Sequence, residues 1–318
     1  MTKKFDGKIV VDHISFSVSE GELFGFLGPN GAGKTTTIKM LTTLASVSDG
    51  RASVAGYDVS KNAGAVRASI GVVPQQLTAD EELKGMENLI LTARLQHVPG
   101  GEARKRAEEL MKLVDLENSA EKRVKTYSGG MRRRLQLTMG LIHTPKILFL
   151  DEPTLGLDIQ TRTKMWEYIR RLNRENGLTV FMTTHYLEEA DSLCDRIAII
   201  DNGVIKESSS PVQLKEKLGG DILTIEVTEG QNLTEFLKNM QDISEVTEPR
   251  PSTYRMKLPH VEKILPIIVQ GVTQRGLKVV GISFTKPTLE QIFLEVTGRS
   301  IRDSEEHSNR AMGPKNWD

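Results

Sequence analysis

The residues able to do chemistry fall at a few places in this 318-residue sequence, and the most specific is GPNGAGKT, Gly28 to Thr35. Glycines at this spacing let a backbone wrap an anion with successive N–H groups. The candidate loop is Gly28, Pro29, Asn30, Gly31, Ala32, Gly33, Lys34 and Thr35, with Thr36 directly after it. Lys34 would reach the outer phosphates of a nucleoside triphosphate, and the Thr35 hydroxyl would bind Mg²⁺. The apolar run GELFGFLG precedes the loop and KTTTIKMLTTL follows it, which is the strand–loop–helix order such a loop needs. The second chemical element is ILFLDE. Asp151, at the end of a buried strand, suits a magnesium contact, usually through water. Glu152 points the other way and could orient or deprotonate an attacking water. Two acids at a strand end could equally cap a helix. The phosphate loop upstream is what favours chemistry.

Two single residues stand where such a site would want them. Gln75, in GVVPQQ, leaves a short apolar strand, and its amide could touch the metal or the water. Gln76 is a rival for that role. His185 ends the strand LTVFMTTH, where an imidazole could meet a γ-phosphate or simply be a satisfied structural residue. YSGGMRRRLQL, Tyr127 to Leu137, has no acid, histidine or cysteine. It nevertheless places Ser128, Gly129 and Gly130 before a helix, an arrangement that makes an anion site from exposed backbone N–H groups. Arg132, Arg133 and Arg134 read as a solvated basic face that opposes the helix dipole and asks for acidic neighbours. Cys194, the one cysteine, reads as a packing residue.

The elements that must position these residues follow from the hydrophobic pattern. Residues 8–27 read as β structure, with Ile14, Phe16 and Val18 alternating with serines as a half-buried strand. GRASVAGYDV reads as a short strand bounded by glycines, and residues 79–143 as mostly helical. In the helix GEARKRAEELMKLVDL, the residues Ala103, Ala107, Leu110, Met111 and Val114 share one face. Strand KILFLDE, helix TRTKMWEYIRRLNREN closed by Gly177, strand LTVFMTTH, helix YLEEADSLCD and a hairpin about Asn202-Gly203 complete the pattern. Strands alternating with helices predict a largely parallel α/β core. SSSPVQLKEKLGGD reads as a linker into a small α+β unit of alternating strands and helices, and residues 301–318 are polar and expected to be disordered.

Length bounds the chain to about two domains of ~100–200 residues. Lys+Arg and Asp+Glu are both 42, so the formal net charge is zero, which argues against nucleic-acid binding by bulk electrostatics. One cysteine excludes an internal disulfide framework. No run approaches the ~18–20 apolar residues of a membrane helix, and the N-terminus has no apolar core behind its lysines. A membrane role would have to come through a partner.

In order, GPNGAGKT, PQ, YSGGM, ILFLDE, LGLD and TTH resemble the nucleotide-binding domain of ATP-binding cassette (ABC) transporters over residues 1–215. Many phosphate-loop proteins share the first and fourth motifs; the Ser-Gly-Gly signature narrows the choice. YSGGMRRRL, with a C-terminal unit ending in TLEQIFLEVTG, is similar to the daunorubicin-resistance type of exporter ATPase. The resemblance implies a phosphate-loop α/β core with an antiparallel β subdomain and a helical subdomain over about 77–143. It also implies a regulatory or accessory α+β domain over 221–298. It makes ATP and Mg²⁺ the cofactors, with Thr35, Gln75 and Asp151 toward the metal. Glu152 becomes the catalytic carboxylate, His185 the switch histidine, Asp158 of LGLD the residue aligning the opposite subunit, and Phe5 a platform for adenine. Members usually carry a further strand before TKKFDGK, so the antiparallel sheet is expected to be short of an edge. Partners are a second copy, whose signature completes each ATP site, and a separate integral-membrane permease touched by residues 77–95. The expected place is the cytoplasmic face of the membrane, held peripherally, with export of a drug, lipid or other hydrophobic cargo and a link to antibiotic resistance. The alternative is a soluble ATPase of the same type acting on a ribosome or nucleic acid. Such chains usually carry two cassettes or an inserted coiled coil, and neither is present. A non-catalytic nucleotide switch is disfavoured by Glu152 and His185.

Overall fold

A computed structural model describes residues 1–217, 220–230 and 232–298, so the segment 301–318 lies outside the described residues. The chain divides into two compact units, Met1–Ser209 and Ser210–Gly298. The first opens with a two-stranded ribbon, β1 (Lys3–Phe5) and β2 (Lys8–Val11), then β3 (Leu23–Leu27) and α1 (Lys34–Leu41). A hairpin, β4 (Ser53–Val54) and β5 (Tyr57–Asp58), leads through α2 (Ala63–Ser69) to β6 (Ile70–Val73). Three helices follow, α3 (Gly85–Leu95), α4 (Gly100–Leu113) and α5 (Gly129–Leu141). The unit closes with β7 (Ile147–Asp151), α6 (Ile159–Asn176), β8 (Thr179–Thr184), α7 (Leu187–Leu193), β9 (Arg196–Asp201) and β10 (Val204–Ser209).

The main sheet has six strands in the order β10-β9-β3-β8-β7-β6. Its pairings are parallel except for β9 with β10. That hairpin turns on Asn202 and Gly203, both with positive φ, the backbone a tight turn between twisted strands needs. Strands β3 and β8 are buried at every residue, as expected for strands covered on both faces. Phe181 lies at the centre of the apolar core, its ring 5.5–5.9 Å from those of Phe16, Phe24, Phe26 and Phe149. Phe181→Ala is expected to cost about 3–5 kcal/mol, the transfer loss plus the cavity left among four rings. Urea unfolding of the full chain measures it, and a loss near zero would mean that the cluster is not a packed core. Cys194 is buried, and burial pushes its thiol well up. Its Sγ lies 2.5 Å from where a Cβ on Gly25 would stand, so glycine in β3 is what admits it.

Three expectations need correction. The segment 14–18 is not a strand. Its burial does alternate, with Ile14 buried and Phe16 and Val18 half-buried. Alternation reports which side faces the core, however, and a strand also needs a neighbouring edge to pair with. GRASVAGYDV is a hairpin rather than one strand, because Ala55 and Gly56 both take positive φ and reverse the chain. The linker stretch carries a helix, α8 (Pro211–Lys217), which opens with proline at its first position.

The second unit continues as β11 (Asp221–Val227), α9 (Thr234–Lys238), β12 (Ser244–Arg250), β13 (Thr253–Leu258), α10 (Val261–Gln274), β14 (Val279–Thr285) and α11 (Leu289–Thr297). Its sheet is antiparallel, in the order β12-β13-β11-β14. Leu223, Ile225 and Val227 pack with Val261, Ile264, Ile268 and Val272 in its core. Strand β12 carries no hydrophobic strand pattern, since SEVTEPR is polar and contains proline, which an edge strand tolerates.

Candidate nucleotide site

The site forms where β3, β6, β7 and β8 end, at the C-terminal edge of the parallel sheet, the usual place for a ligand in such folds. The loop after β3 wraps through Gly31 and Gly33, both with positive φ. Gly28 is required for a different reason: a Cβ there would stand 2.3 Å from the Ile200 carbonyl oxygen. Pro29 and Ala32 are buried, Asn30 and Gly31 exposed, and Thr36 half-buried behind Thr35. Gly33 precedes α1 with no side-chain cap, so the first N–H groups of that helix are not spent on a capping side chain. Lys34 is buried and folds back on the loop, donating to the carbonyl oxygens of Gly28 at 2.7 Å and Pro29 at 3.1 Å.

The two carboxylates at the end of β7 face different partners. Asp151 Oδ1 accepts from Thr35 Oγ1 at 3.2 Å and from Thr183 Oγ1 at 2.6 Å. Glu152 adopts φ +50, and such a backbone costs about 1–3 kcal/mol unless its surroundings hold it. Its N–H donates to Thr183, and its side chain turns toward the loop. Oε1 lies 3.2 Å from Lys34 Nζ, Oε2 lies 3.2 Å from His185 Nδ1, and both acid and lysine are buried. Gln75 Nε2 stands 3.5 Å from the same Oε2, at the limit of a hydrogen bond. Gln76 instead is held by its carbonyl, which accepts from Gln136 at 2.6 Å. Burial works to raise the Glu152 carboxyl, but the His185 hydrogen bond and the Lys34 charge outweigh it and hold it below the usual carboxylate range. The charge therefore contributes stability above the unfolded carboxylate pKa, and that contribution is lost as pH falls through the lowered folded value.

Ser128 is the N-cap of α5, its hydroxyl accepting from the Met131 N–H at 3.3 Å. Ser128 and Gly129 are exposed, and a Cβ on Gly129 would meet nothing within 4 Å. Gly130 differs: a Cβ there would fall 2.4 Å from the Thr161 methyl, so the signature helix abuts α6. Asp158 caps α6, accepting from the Thr161 N–H at 2.9 Å and its hydroxyl at 2.7 Å. Those hydrogen bonds hold its carboxyl below the usual range. Phe5 is exposed on the ribbon, with the Lys3 ammonium 4.8 Å from its ring centroid.

The arginine triplet is not a solvated face. Arg132 pairs with Glu81 at 2.6 Å, and Arg134 donates to the Val114 carbonyl at 2.7 Å. Arg133 is buried at 4% exposure, and burial works to lower its guanidinium pKa. A charge run looks solvated by default; here the backbone carbonyls of distant loops take up the donors. Glu189 is a second residue that the motifs do not announce. It is fully buried, accepts from Thr154 Oγ1 and Trp166 Nε1 at 2.9 Å each, and burial raises its carboxyl. Four residues after His185 on a short amphipathic helix, its inward position was readable; its partners were not.

Comparison with known proteins matches two family models, ABC transporter over residues 11–155 and the C-terminal domain of DrrA1-3-like ATP-binding proteins over residues 210–297. The linearmycin resistance ATP-binding protein LnrL of Bacillus subtilis (strain 168) is 37% identical over 95% of this chain and 97% of its own length. The daunorubicin resistance ATP-binding protein DrrA2 of Streptomyces coeruleorubidus is 39% identical over 96% of this chain and 95% of its own. Among solved structures, a dimeric post-hydrolysis state of the ATP-binding cassette MJ0796 bound to ADP and Pi matches with a TM-score of 0.60 and 28% identity. That match covers 66% of this chain and 94% of that one. Both units of the chain thus fall within the span matched by single relatives, which are themselves matched over nearly all of their length. The chain belongs to the ABC transporter ATP-binding proteins of the daunorubicin-resistance (DrrA) type, an ATP-hydrolysing subunit of an ABC exporter.

Proposed function

We propose that this subunit drives export of a drug-like or other hydrophobic molecule through a separate integral-membrane permease, by ATP-gated closure and hydrolytic reopening of a homodimer. The observation that carries the reading is the convergence on Glu152 of Lys34 and His185, each at 3.2 Å, beside the phosphate loop. In this reading the loop from Gly28 to Thr36 holds the triphosphate, and Lys34 leaves Glu152 for the β- and γ-phosphates. Glu152 accepts a proton from the water that attacks the γ-phosphorus, while the bond to the bridging oxygen of ADP breaks. His185 and Gln75 orient the transferred group. Positioning and charge stabilisation supply most of the acceleration.

Thr35 Oγ1 and Asp151 Oδ1, 3.2 Å apart, offer one hydroxyl and one carboxylate. That set fits Mg²⁺, which takes few protein ligands and completes its shell with phosphate oxygens and water. The Gln75 amide oxygen would be a further ligand to it. When bound, the metal neutralises charge on the phosphates. Ser128–Gly130 of one chain would present its helix start to nucleotide held by the other, with Asp158 at that same junction and Phe5 under adenine. The second unit is an accessory domain, regulatory or dimer-stabilising.

The relatives named for linearmycin, daunorubicin and doxorubicin resistance support a hydrophobic antibiotic as cargo. Among the described residues no helix is long and apolar enough to cross a membrane, and in this reading the permease holds the subunit peripherally at the cytoplasmic face. Affinity capture of the full chain from detergent-solubilised membranes of its own host is expected to recover an integral-membrane protein in stoichiometric amount. Recovery of ribosomal proteins or nucleic acid in its place would favour the soluble alternative.

A further inference from the structure

Arg133 belongs to neither the phosphate loop nor the acid strand, yet its guanidinium touches the backbone on which both acids and Gln75 are mounted. Nε donates to the Pro153 carbonyl at 2.7 Å. Nη1 donates to the carbonyls of Pro74 at 2.9 Å and Gln75 at 3.1 Å, and to Gln136 Oε1 at 2.8 Å. Nη2 donates to the carbonyls of Glu152 at 2.6 Å and Asp151 at 3.3 Å. Gln136, one helical turn on, completes the clamp by donating to the carbonyls of Pro74 at 3.1 Å and Gln76 at 2.6 Å. Both side chains are buried and both rise from α5, the helix whose first residues follow Ser128.

A buried guanidinium is an expensive way to fill space. An apolar side chain of similar volume would do so without desolvating a charge. What an apolar residue cannot do is tie three backbone segments together, and a planar fork of five N–H donors can. The segments tied are the exit of β6, which carries Gln75, the exit of β7, which carries Asp151 and Glu152, and the helix that begins at the signature. Arg133 also holds the carbonyl of Glu152, the residue whose positive φ must be held from outside.

We propose that Arg133, with Gln136, is a positioning residue that makes the anion site at Ser128–Gly130 rigid with the Gln75 and Glu152 of the same chain. This inference rests on the dimer of the preceding subsection, in which each signature serves the other chain's nucleotide. ATP read by Gln75 and Glu152 in one chain then sets the position of that chain's own signature. The two sites fill and close together rather than one at a time.

The test uses the full chain carrying Glu152→Gln as parent, because that variant is the one expected to be trapped as a dimer. Two measurements are compared: affinity of the dilute monomer for a fluorescent ATP analogue, and the ATP concentration for half-dimerisation on sizing chromatography. Adding Arg133→Met is expected to leave monomer affinity within about threefold, since Lys34 and its loop are untouched, and to raise the half-dimerisation concentration at least about tenfold. Adding Arg133→Lys, which keeps the charge but not the fork, is expected to bind ATP as the parent does and to dimerise between the two. A dimerisation curve for Arg133→Met that overlays the parent's overturns the proposal. Loss of nucleotide binding by Arg133→Met, with Arg133→Lys matching the parent in both measurements, also overturns it and leaves a packing role. A parent that never dimerises with ATP sinks the dimer itself, an outcome separable from the others because it precedes any change at Arg133.

Discussion

Glu152→Gln is expected to bind ATP, to hydrolyse it at least about 100-fold more slowly, and to accumulate as an ATP-bound dimer. The size follows from removing a general base, which is worth about 10²–10⁴ in rate. The substitution keeps shape and leaves the backbone bonds to Thr183 and Arg133 in place, so the fold should hold. Binding should not weaken, because the Lys34 ammonium is paired with this carboxylate at 3.2 Å. ATP must draw Lys34 away, and an uncharged amide lets it go more easily, so affinity should rise. Single-turnover phosphate release gives the rate and sizing chromatography the dimer. Turnover equal to that of the parent chain would remove Glu152 from its role.

Ser128→Arg should leave ATP binding by the monomer intact and abolish ATP-driven dimerisation. The hydroxyl caps α5 through the Met131 N–H, and its loss costs about 0.5–2 kcal/mol, well short of unfolding a helix anchored by Leu135, Leu137 and Leu141 in the core. Ser128 and Gly129 are exposed, so an arginine has room in the monomer. In the dimer it would cover the helix start offered to the partner's triphosphate. Ser128→Ala separates the two contributions, since it loses the cap without adding bulk and should impair dimerisation far less. If Ser128→Arg elutes with ATP as the parent does, shared sites are excluded.

Much of the candidate site was legible because its signals are local. A phosphate loop needs glycines, a lysine and a hydroxyl within a few residues, with a strand before and a helix after, and all of that lies between Leu23 and Leu41. Asp151, His185 and Gln75 were legible from one feature they share, a position at or just beyond an apolar run of strand length. The alternation at Ile14, Phe16 and Val18 reported burial correctly and pairing wrongly, since pairing depends on an edge that lies elsewhere in the chain. The burial of Arg133 is hidden in the sequence for the same kind of reason. Three arginines in the first turns of a helix look solvated, and nothing within ten residues says otherwise.

The sequence by itself determined the parallel α/β core, the candidate phosphate loop, the candidate signature before α5 and the kinship with ABC exporter subunits. Each of these rests on side-chain types at short spacing, and short spacing survives in a string of letters. Only the tertiary structure decided that Lys34 and His185 close on Glu152, because β3, β7 and β8 are neighbours in the sheet and not in the chain. It alone decided that Arg133 is the buried tie between them. Five of the acceptors of that arginine are backbone carbonyls, which every residue possesses, so no residue type marks them in the sequence.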